Sequence, residues 1–232
     1  MPRYLLTFNK KRSVRFLSHL EEVRALERTL RRANIPLMYS QGFSPRPIMS
    51  FGPPLPVGFS SRAQLMEVKL DNQLTPEEII FMVNSTLPEG YNLSDVKYLP
   101  DSYPSLGSFP MAISYLLLVE GNGIKLSINS FLSQPYYQVL REDKKRREKL
   151  FNIRPFVLHL AIINQEELSD FFKTMNLSYT AEDFCWLEHP DSTLLFFQSL
   201  YTTEGSVKIA ELEKALNVKI IDGERISIAR YR

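Results

Sequence analysis

The start of the fold is decided by residues 3–34, which read RYLLTFNKKRSVRFLSHLEEVRALERTLRRAN. The segment 3–9 is rich in residues that favour β-structure and predicts a strand. A polar turn follows. Ser18 with Glu21 three residues later then has the sequence of a capping box, which predicts that a helix begins there. The helix is expected to end at Asn34, because an Ile-Pro dipeptide comes next.

Two predicted helices carry the spacing of residues that pack on a sheet. In the first helix an apolar stripe is expected to face the core through Leu20, Val23, Leu26, Leu30 and Ala33. The second helix begins after Thr75, where Glu78 completes another capping box and Pro76 occupies the first helical position. Both starts therefore have a defined chemical signal as well as a hydrophobic period.

Strands are predicted between and after these helices. A short strand-like segment lies at 37–39, a longer one at 63–71, and a third at 91–99. The order is therefore strand, helix, strand, strand, helix, strand, which is the order of a ferredoxin-like split βαβ unit. We expect residues 1–100 to form one such domain.

The second half of the chain attempts the same order. Residues 101–110 are rich in Pro, Ser and Gly and predict a linker, and residues 111–232 predict a second ferredoxin-like unit with an insertion near 142–190. The predicted fold class is α+β, with tandem ferredoxin-like (βαββαβ) units, antiparallel sheets and helices on one face. For two segments the sequence leaves two structures open. Residues 157–163 form either a strand or a helix, and residues 219–231 form either one strand or a hairpin that turns at Asp222-Gly223.

Composition places the chain among soluble globular proteins. Its 232 residues are 44% hydrophobic and 23% charged, which excludes a disordered chain, a collagen-like fibre and a coiled-coil rod. No apolar run reaches the roughly 18 residues of a membrane helix, and the N-terminus lacks the features of a signal peptide. The single cysteine, Cys185, predicts core packing and no internal disulfide or Cys-rich metal site. We therefore expect a cytoplasmic protein without a membrane partner.

Charge is distributed unevenly along the chain. Residues 1–62 carry eleven Lys and Arg against three Glu, a net charge of +8, whereas residues 155–205 carry one Lys against eight acids, a net charge of −7. Such asymmetry is typical of a protein with one end facing a polyanion. The alternative is that the charges pair with each other across the fold.

The first helix holds the strongest candidate for a binding surface. Arg24, Arg28 and either Arg31 or Arg32 share one helical face, and forked guanidinium groups suit the recognition of phosphate. The competing interpretation is ordinary surface ion pairs with the three glutamates of the same helix, Glu21, Glu22 and Glu27. Further positive charge without added acids lies on either side, at Lys10, Lys11, Arg12, Arg15, Arg46 and Arg62.

Behind that helix, residues 40–62 predict a shaped loop. It contains five prolines and three glycines, which restrict and permit backbone conformations respectively. Tyr39, Phe43 and Phe51 near Arg46 supply the stacking surfaces and cations that single-stranded RNA requires. The same residues would also suit a loop that packs on its own sheet.

Signals for catalysis are few. The sequence has no Walker or Rossmann glycine loop, no G-x-S-x-G elbow, and no histidine at an evident metal-ligand spacing. His19, beside Ser18 at the helix start, could act as a general acid or base, or could help to satisfy the first helical turn. We predict no catalytic residue and no metal site in the leading interpretation.

The run from Arg15 to Gly58 resembles the opening of the radical SAM-linked protein family. The resemblance rests on RFLSHL (15–20), RALERTLRRA (24–33), PLMYSQGFSP (36–45) and SFGPPLPVG (50–58). That family is a bacterial domain of unknown function, found as a separate protein or fused to a cobalamin-type radical SAM enzyme. The family often has Asn and His where Ser44 and Arg46 stand here, so a role of that histidine does not transfer.

The resemblance implies a partner enzyme that brings its own iron–sulfur cluster and S-adenosylmethionine, with no cofactor bound by this chain. Our leading hypothesis is a non-catalytic accessory protein that binds RNA for that enzyme. The expected contact residues are Arg15, Arg24, Arg28, Arg31, Arg32, Tyr39, Phe43 and Arg46. One alternative is an RNA-processing endonuclease of tandem ferredoxin-like architecture, with His19 as its base. Another is a protein–protein scaffold whose arginine helix docks on an acidic surface.

Overall fold

A computed structural model describes residues 1–143, 145–177, 179, 186–187, 189 and 191–231. Lys144 and Cys185 lie outside the described residues. The chain divides into two compact units, Met1–Phe109 and Pro110–Arg232. Both units combine antiparallel sheet with helices, so the predicted mixed α+β class is confirmed. None of the helices in the described part of the chain is long and apolar enough to cross a membrane.

The first unit contains four strands and two α-helices. In chain order these are β1 Arg3–Lys10, α1 His19–Arg32, β2 Met49–Phe51, β3 Ser60–Lys69, α2 Pro76–Asn84 and β4 Tyr91–Leu99. The strands lie in the order β4-β1-β3-β2, and every pair is antiparallel. Alternate residues of β1, which are Tyr4, Leu6 and Phe8, are fully buried in the core of this unit, as expected for a strand with one face on the core.

Both capping boxes predicted from the sequence are confirmed. The Ser18 backbone N–H donates to the Glu21 carboxylate at 2.8 Å, and the Glu21 backbone N–H donates to Ser18 Oγ at 3.4 Å. Thr75 and Glu78 make the same exchange at 2.7 and 3.2 Å. These bonds satisfy amide groups that have no partner within the helix, which is why each helix begins where it does.

The buried face of α1 is rotated relative to the predicted stripe. Leu26 and Leu30 are buried as expected, but Leu20 is 58% exposed, so its assignment to the core was wrong. Glu22 and Thr29 are buried instead. Positions 22, 26, 29 and 33 follow the helical period closely, whereas position 20 lies on the side of Arg24.

The predicted loop and linker of this unit are both held by hydrogen bonds. Residues 49–51 of the loop form β2, which pairs with β3. The predicted linker contacts the sheet of the first unit, because Arg3 donates to the Tyr103 carbonyl at 3.0 Å and Glu67 accepts from the Leu106 N–H at 2.8 Å. The two units meet in sequence at Phe109 and Pro110.

The second unit contains six strands and three α-helices among its described residues. These are β5 Met111–Glu120, α3 Ile124–Ser133, β6 Gln138–Glu142, β7 Glu148–Asn152, β8 Val157–Ile163, α4 Leu168–Thr174, β9 Thr193–Tyr201, α5 Ile209–Leu216 and β10 Lys219–Arg230. Four of the strands lie antiparallel in the order β10-β5-β9-β8, and β6 and β7 pair only with each other.

Two alternatives in this half are now decided. Residues 157–163 form a strand, not a helix. The segment 219–230 is one strand, so the hairpin at Asp222-Gly223 was wrong. The register against β5 shifts between Ile220 and Asp222, which places a β-bulge at Ile221, and the Asp-Gly pair that follows it is paired with Leu118 and Leu117 of β5.

Candidate nucleic-acid interface

The outer face of α1 displays positive charge. Arg24, Arg28 and Arg31 lie on successive turns of the helix, and all three are exposed. Arg32 is also exposed and lies beside them. The sequence prediction that these residues share a surface agrees with their positions on α1.

The three glutamates of α1 are each engaged in a different way. Glu21 belongs to the capping box, and its hydrogen bonds from the side chain and backbone of Ser18 lower the pKa of its carboxyl, with a smaller contribution from Arg24. Glu27 pairs with Arg31 at 2.6 Å. Glu22 is turned into the core. Of the glutamate–arginine ion pairs that the competing interpretation expects within α1, only the Glu27–Arg31 pair is therefore formed.

Arg24 and Arg28 consequently stand apart from the other cations of the helix. In the described parts of the chain, neither guanidinium makes a hydrogen bond or an ion pair. An exposed guanidinium keeps five donors available for a planar anion such as phosphate. These two side chains form the centre of what we call the basic face, defined as Arg24, Arg28, Arg31, Tyr39 and Arg46.

The remaining two arginines of α1 have local roles. The Arg31 guanidinium lies 5.8 Å from the ring centroid of Tyr39 and so joins the helix to the segment that follows it. Arg32 donates to the Thr86 carbonyl at 2.9 Å, which ties α1 to the chain after α2. Arg32 therefore has a structural contact that the sequence pattern did not indicate.

The segment 40–46 is a short closed loop next to Tyr39. The Ser40 N–H donates to the Arg46 carbonyl at 2.8 Å, and the Arg46 N–H donates to Ser40 Oγ at 3.1 Å. Gly42 has a φ of 131°, a conformation that favours glycine. Phe43 follows it and is fully exposed, and the Arg46 side chain is exposed as well. The loop thus presents an aromatic ring and a cation beside the end of α1.

A second exposed aromatic ring lies before the helix. Phe16 is 68% exposed, and the Arg15 guanidinium stacks over its ring at 4.6 Å from the centroid. The Gly58 N–H donates to the Arg15 carbonyl at 2.9 Å, which holds this segment to the Pro-rich loop. Sequence reasoning selected Arg15 and missed Phe16. Phe16 could have been found from the sequence, because it follows Arg15 directly and no hydrophobic periodicity assigns it to the core.

Phe51 and His19 contact each other. The His19 ring is edge-on to Phe51, with centroids 5.9 Å apart, and Phe51 is half-buried against the core of the first unit. Phe51 is therefore used for internal packing and not as an open stacking surface. The His19 imidazole is exposed and makes no hydrogen bond within the described residues.

Beneath the first turns of α1 lies a buried polar cluster that the sequence did not reveal. Glu22 accepts a hydrogen bond from Gln64 Nε2 at 2.7 Å, and Lys10 Nζ lies 3.6 Å from its other oxygen. Lys10 also donates to the Leu17 carbonyl at 3.0 Å. Burial raises the pKa of the neighbouring Tyr91 phenol, and the charge of Glu22 raises it further.

Metal-ligand side chains do not cluster in the part of the chain that the structure describes. No group of three or more His, Cys, Asp or Glu side chains is suitably placed there to hold an ion. The chemistry offered by the first unit is therefore described by its exposed guanidinium groups and aromatic rings, with a buried ion pair behind them.

Comparison with known proteins places the chain in a family. Residues 3–183 match the model of a family described as an uncharacterized protein conserved in bacteria (DUF2344). The chain belongs to the DUF2344 family. The expectation of a bacterial domain of unknown function is thereby confirmed, while the link to a radical SAM enzyme stays a prediction. No curated protein matches this DUF2344 chain.

Among solved structures, the DUF2344 chain is similar to a chain in a crystal structure of a Cbf5-Nop10-Gar1 complex. The identity is 8% and the TM-score is 0.48. The match covers 97% of the DUF2344 chain and 48% of the other chain, so the DUF2344 chain spans about half the length of the protein it matches.

Proposed function

We propose that this DUF2344 protein is a non-catalytic accessory protein that binds RNA through the basic face, in partnership with a radical SAM enzyme. The observation that carries the proposal is the exposure of Arg24 and Arg28 without a hydrogen bond or an ion pair among the described residues. Each glutamate that could neutralise them is engaged elsewhere, by Ser18, by Lys10 with Gln64, or by Arg31.

Single-stranded RNA is the nucleic acid that this surface suits best. Guanidinium groups neutralise the phosphate backbone, and exposed rings stack on unpaired bases. Phe43 and Phe16 are both exposed, and each has an arginine close by in the chain, Arg46 and Arg15.

The partnership with a radical SAM enzyme rests on the resemblance of residues 15–58. In this proposal the enzyme supplies the iron–sulfur cluster and S-adenosylmethionine, and the DUF2344 chain holds the RNA. The antiparallel strand orders β4-β1-β3-β2 and β10-β5-β9-β8 support the finer proposal that both units are ferredoxin-like. Complex formation can be measured by mixing the purified radical SAM enzyme of the same bacterium with this chain in size-exclusion chromatography.

The RNA-binding proposal is tested by charge reversal on α1. Arg24→Glu with Arg28→Glu should weaken binding of labelled poly(U) and lower the salt dependence by roughly 0.7 for each lost phosphate contact. Folding stability should change little, because both side chains are exposed. Lys97→Glu on β4 is the matched control, since Lys97 is exposed in the same unit but lies away from α1 in sequence.

Two outcomes would contradict the proposal. The first is a double variant that binds poly(U) as tightly as the wild type over a range of salt concentrations. The second is a wild-type protein without affinity for RNA at low salt. In the second case, binding of the radical SAM enzyme that is lost in the same double variant would favour the scaffold interpretation.

A further inference from the structure

The β6–β7 hairpin of the second unit is anchored close to its turn, at Arg141, which pairs with Lys149. Arg141 donates to both oxygens of the Glu211 carboxylate at 2.7 Å, and to the Ser206 carbonyl at 2.6 Å. Its guanidinium also stacks 3.7 Å from the ring centroid of Phe151. A bidentate, part-buried pair of this kind fixes geometry as well as adding energy. The hairpin is therefore held to α5 and presents its turn in a defined position.

The turn itself is shaped by one carboxylate. Asp143 accepts hydrogen bonds from the backbone N–H groups of Lys145 and Arg147 at 2.7 and 3.0 Å, and from the Arg147 side chain at 2.9 Å. These bonds lower the pKa of Asp143. Asp143 and Arg147 are thus paired with each other, which leaves Lys145, Arg146 and Lys149 as exposed cations without an ion pair in the described turn.

Arg146 occupies a backbone conformation that glycine favours. Its φ is 57°, in the left-handed region, where a residue with a side chain is uncommon and a hairpin turn usually has glycine. The side chain is exposed and makes no hydrogen bond or ion pair with the residues that the structure describes. Neither packing nor backbone geometry accounts for an arginine at this position.

We propose that Lys145, Arg146 and Lys149 form a second element for binding the phosphate backbone of RNA. This inference deepens the proposed function and rests on it, because the ligand is the same class of RNA. A requirement for positive charge at the tip explains why arginine occupies a position better suited to glycine. The anchor that Arg141 and Glu211 supply beside the turn limits the entropy lost when the tip binds.

The surroundings of the tip favour RNA over a lipid surface. Leu140 and Leu150 are opposite each other and exposed, as they would be on a membrane-facing ribbon. The adjacent pair on the same face is Glu142 and Glu148, also directly opposite and exposed. Docking through the leucines would press both carboxylates against anionic headgroups, whereas an RNA backbone at the tip need not contact that face.

The decisive variant is Arg146→Gly in the full-length protein. It should unfold at an equal or higher temperature than the wild type, because glycine relieves the left-handed conformation. Its binding to labelled poly(U) should nevertheless weaken, with a salt slope smaller by roughly 0.7. A difference of roughly 0.7 in the slope means that the ratio of wild-type to variant affinity is about fivefold larger at 0.1 M salt than at 1 M salt. Lys145→Ala should have a similar effect, and Lys125→Ala on α3 is the matched exposed control.

Comparison with the α1 variants separates this inference from the proposed function. If Arg24→Glu with Arg28→Glu weakens binding while Arg146→Gly and Lys145→Ala do not, the hairpin inference is wrong and the basic face stands. If the tip variants alone weaken binding, the hairpin stands and the basic face is wrong. Binding to phosphatidylserine vesicles without binding to poly(U), or binding to neither, overturns both.

Discussion

At the scale of single residues, α1 divides its charge between a buried ion pair and an exposed surface. Glu22 and Lys10 are both almost completely buried. Their attraction for each other, with the Gln64 amide on Glu22 and the Leu17 carbonyl on Lys10, offsets the loss of hydration. Burial of an unpaired charge is among the most destabilising changes that a core can suffer. The exposed arginines on the opposite side of the helix remain hydrated and need no buried partner. Substitution of these arginines should therefore affect the proposed binding without affecting the stability of the fold.

Removal of one member of the buried pair should therefore destabilise the protein strongly. Glu22→Leu removes the carboxylate that lies 3.6 Å from the buried Lys10 Nζ and should lower the free energy of unfolding by about 3–5 kcal/mol in urea denaturation. The double variant Lys10→Met with Glu22→Leu should recover part of that loss. Glu27→Leu is the control, because the Glu27–Arg31 pair is largely exposed and should contribute at most about 0.5 kcal/mol. A Glu22→Leu protein as stable as the control would mean that the pair is not buried.

The buried Tyr91 should make the stability of the protein depend on pH in the alkaline range. Its phenol has an ordinary pKa of 10.0, and burial with the nearby Glu22 charge raises that pKa in the folded protein. As the pH rises, the unfolded chain therefore loses the Tyr91 proton before the folded protein does. The contribution of the protonated phenol to the free energy of unfolding is complete below about pH 10 and is lost as the pH rises above that value.

Between about pH 9 and pH 11, the urea midpoint of Tyr91→Phe is expected to decrease less than that of the wild type. Near neutral pH the variant should be as stable as the wild type or more stable, because the buried phenol oxygen has no hydrogen-bond partner among the residues that the structure describes. Tyr98→Phe, at an exposed tyrosine, should keep the wild-type pH profile. Identical profiles for wild type and Tyr91→Phe would contradict the raised pKa.

At the scale of secondary-structure elements, the predictable features are those encoded over three or four residues. The two capping boxes fixed the starts of α1 and α2 from sequence alone, because the interacting side chain and backbone groups are close in the chain. The rotation of α1 about its axis was not predictable in the same way. A pattern of leucines does not distinguish Leu20 from Leu26, and Glu22 is buried only because β1 and β3 supply Lys10 and Gln64.

The same distinction applies to the candidate site and to the second unit. The arginine spacing on α1 predicted the basic face, but Arg24 and Arg28 also lack an ion pair in the described structure because Glu22 is buried against Lys10 and Gln64, which are distant in the sequence. The Asp222-Gly223 pair has the sequence of a turn, yet its pairing with β5 makes it part of a bulged strand. Tertiary contacts decided each of these cases.

The orientation of α1 can be tested with two leucines of the same helix. Leu26→Ala should lower the free energy of unfolding by about 2–5 kcal/mol, because it leaves a cavity in the core of the first unit. Leu20→Ala should change it by no more than about 0.5 kcal/mol, since Leu20 is exposed. Urea denaturation of both variants measures the difference. Equal losses, or a larger loss for Leu20→Ala, would show that the helix is rotated from the orientation described above.

At the scale of the whole molecule, an uneven charge distribution is combined with a small net charge of +2. RNA binding in this proposal depends on local positive surfaces, α1 in one unit and the β6–β7 tip in the other, and not on the net charge. Chemistry on the RNA is assigned to the partner. This division of labour predicts that the chain alone leaves RNA unchanged.

His19 provides the test of that division. A general base needs a partner that orients it and a reacting group within hydrogen-bond reach. In the described structure the His19 imidazole makes no hydrogen bond and lies perpendicular to the Phe51 ring, and the nearby Glu22 is occupied by Lys10 and Gln64. Poly(U) incubated with the full-length protein should therefore be recovered intact on a denaturing gel, with or without Mg²⁺, and His19→Ala should bind it as the wild type does. Cleavage by the wild type that disappears in His19→Ala would replace the accessory function with the endonuclease alternative.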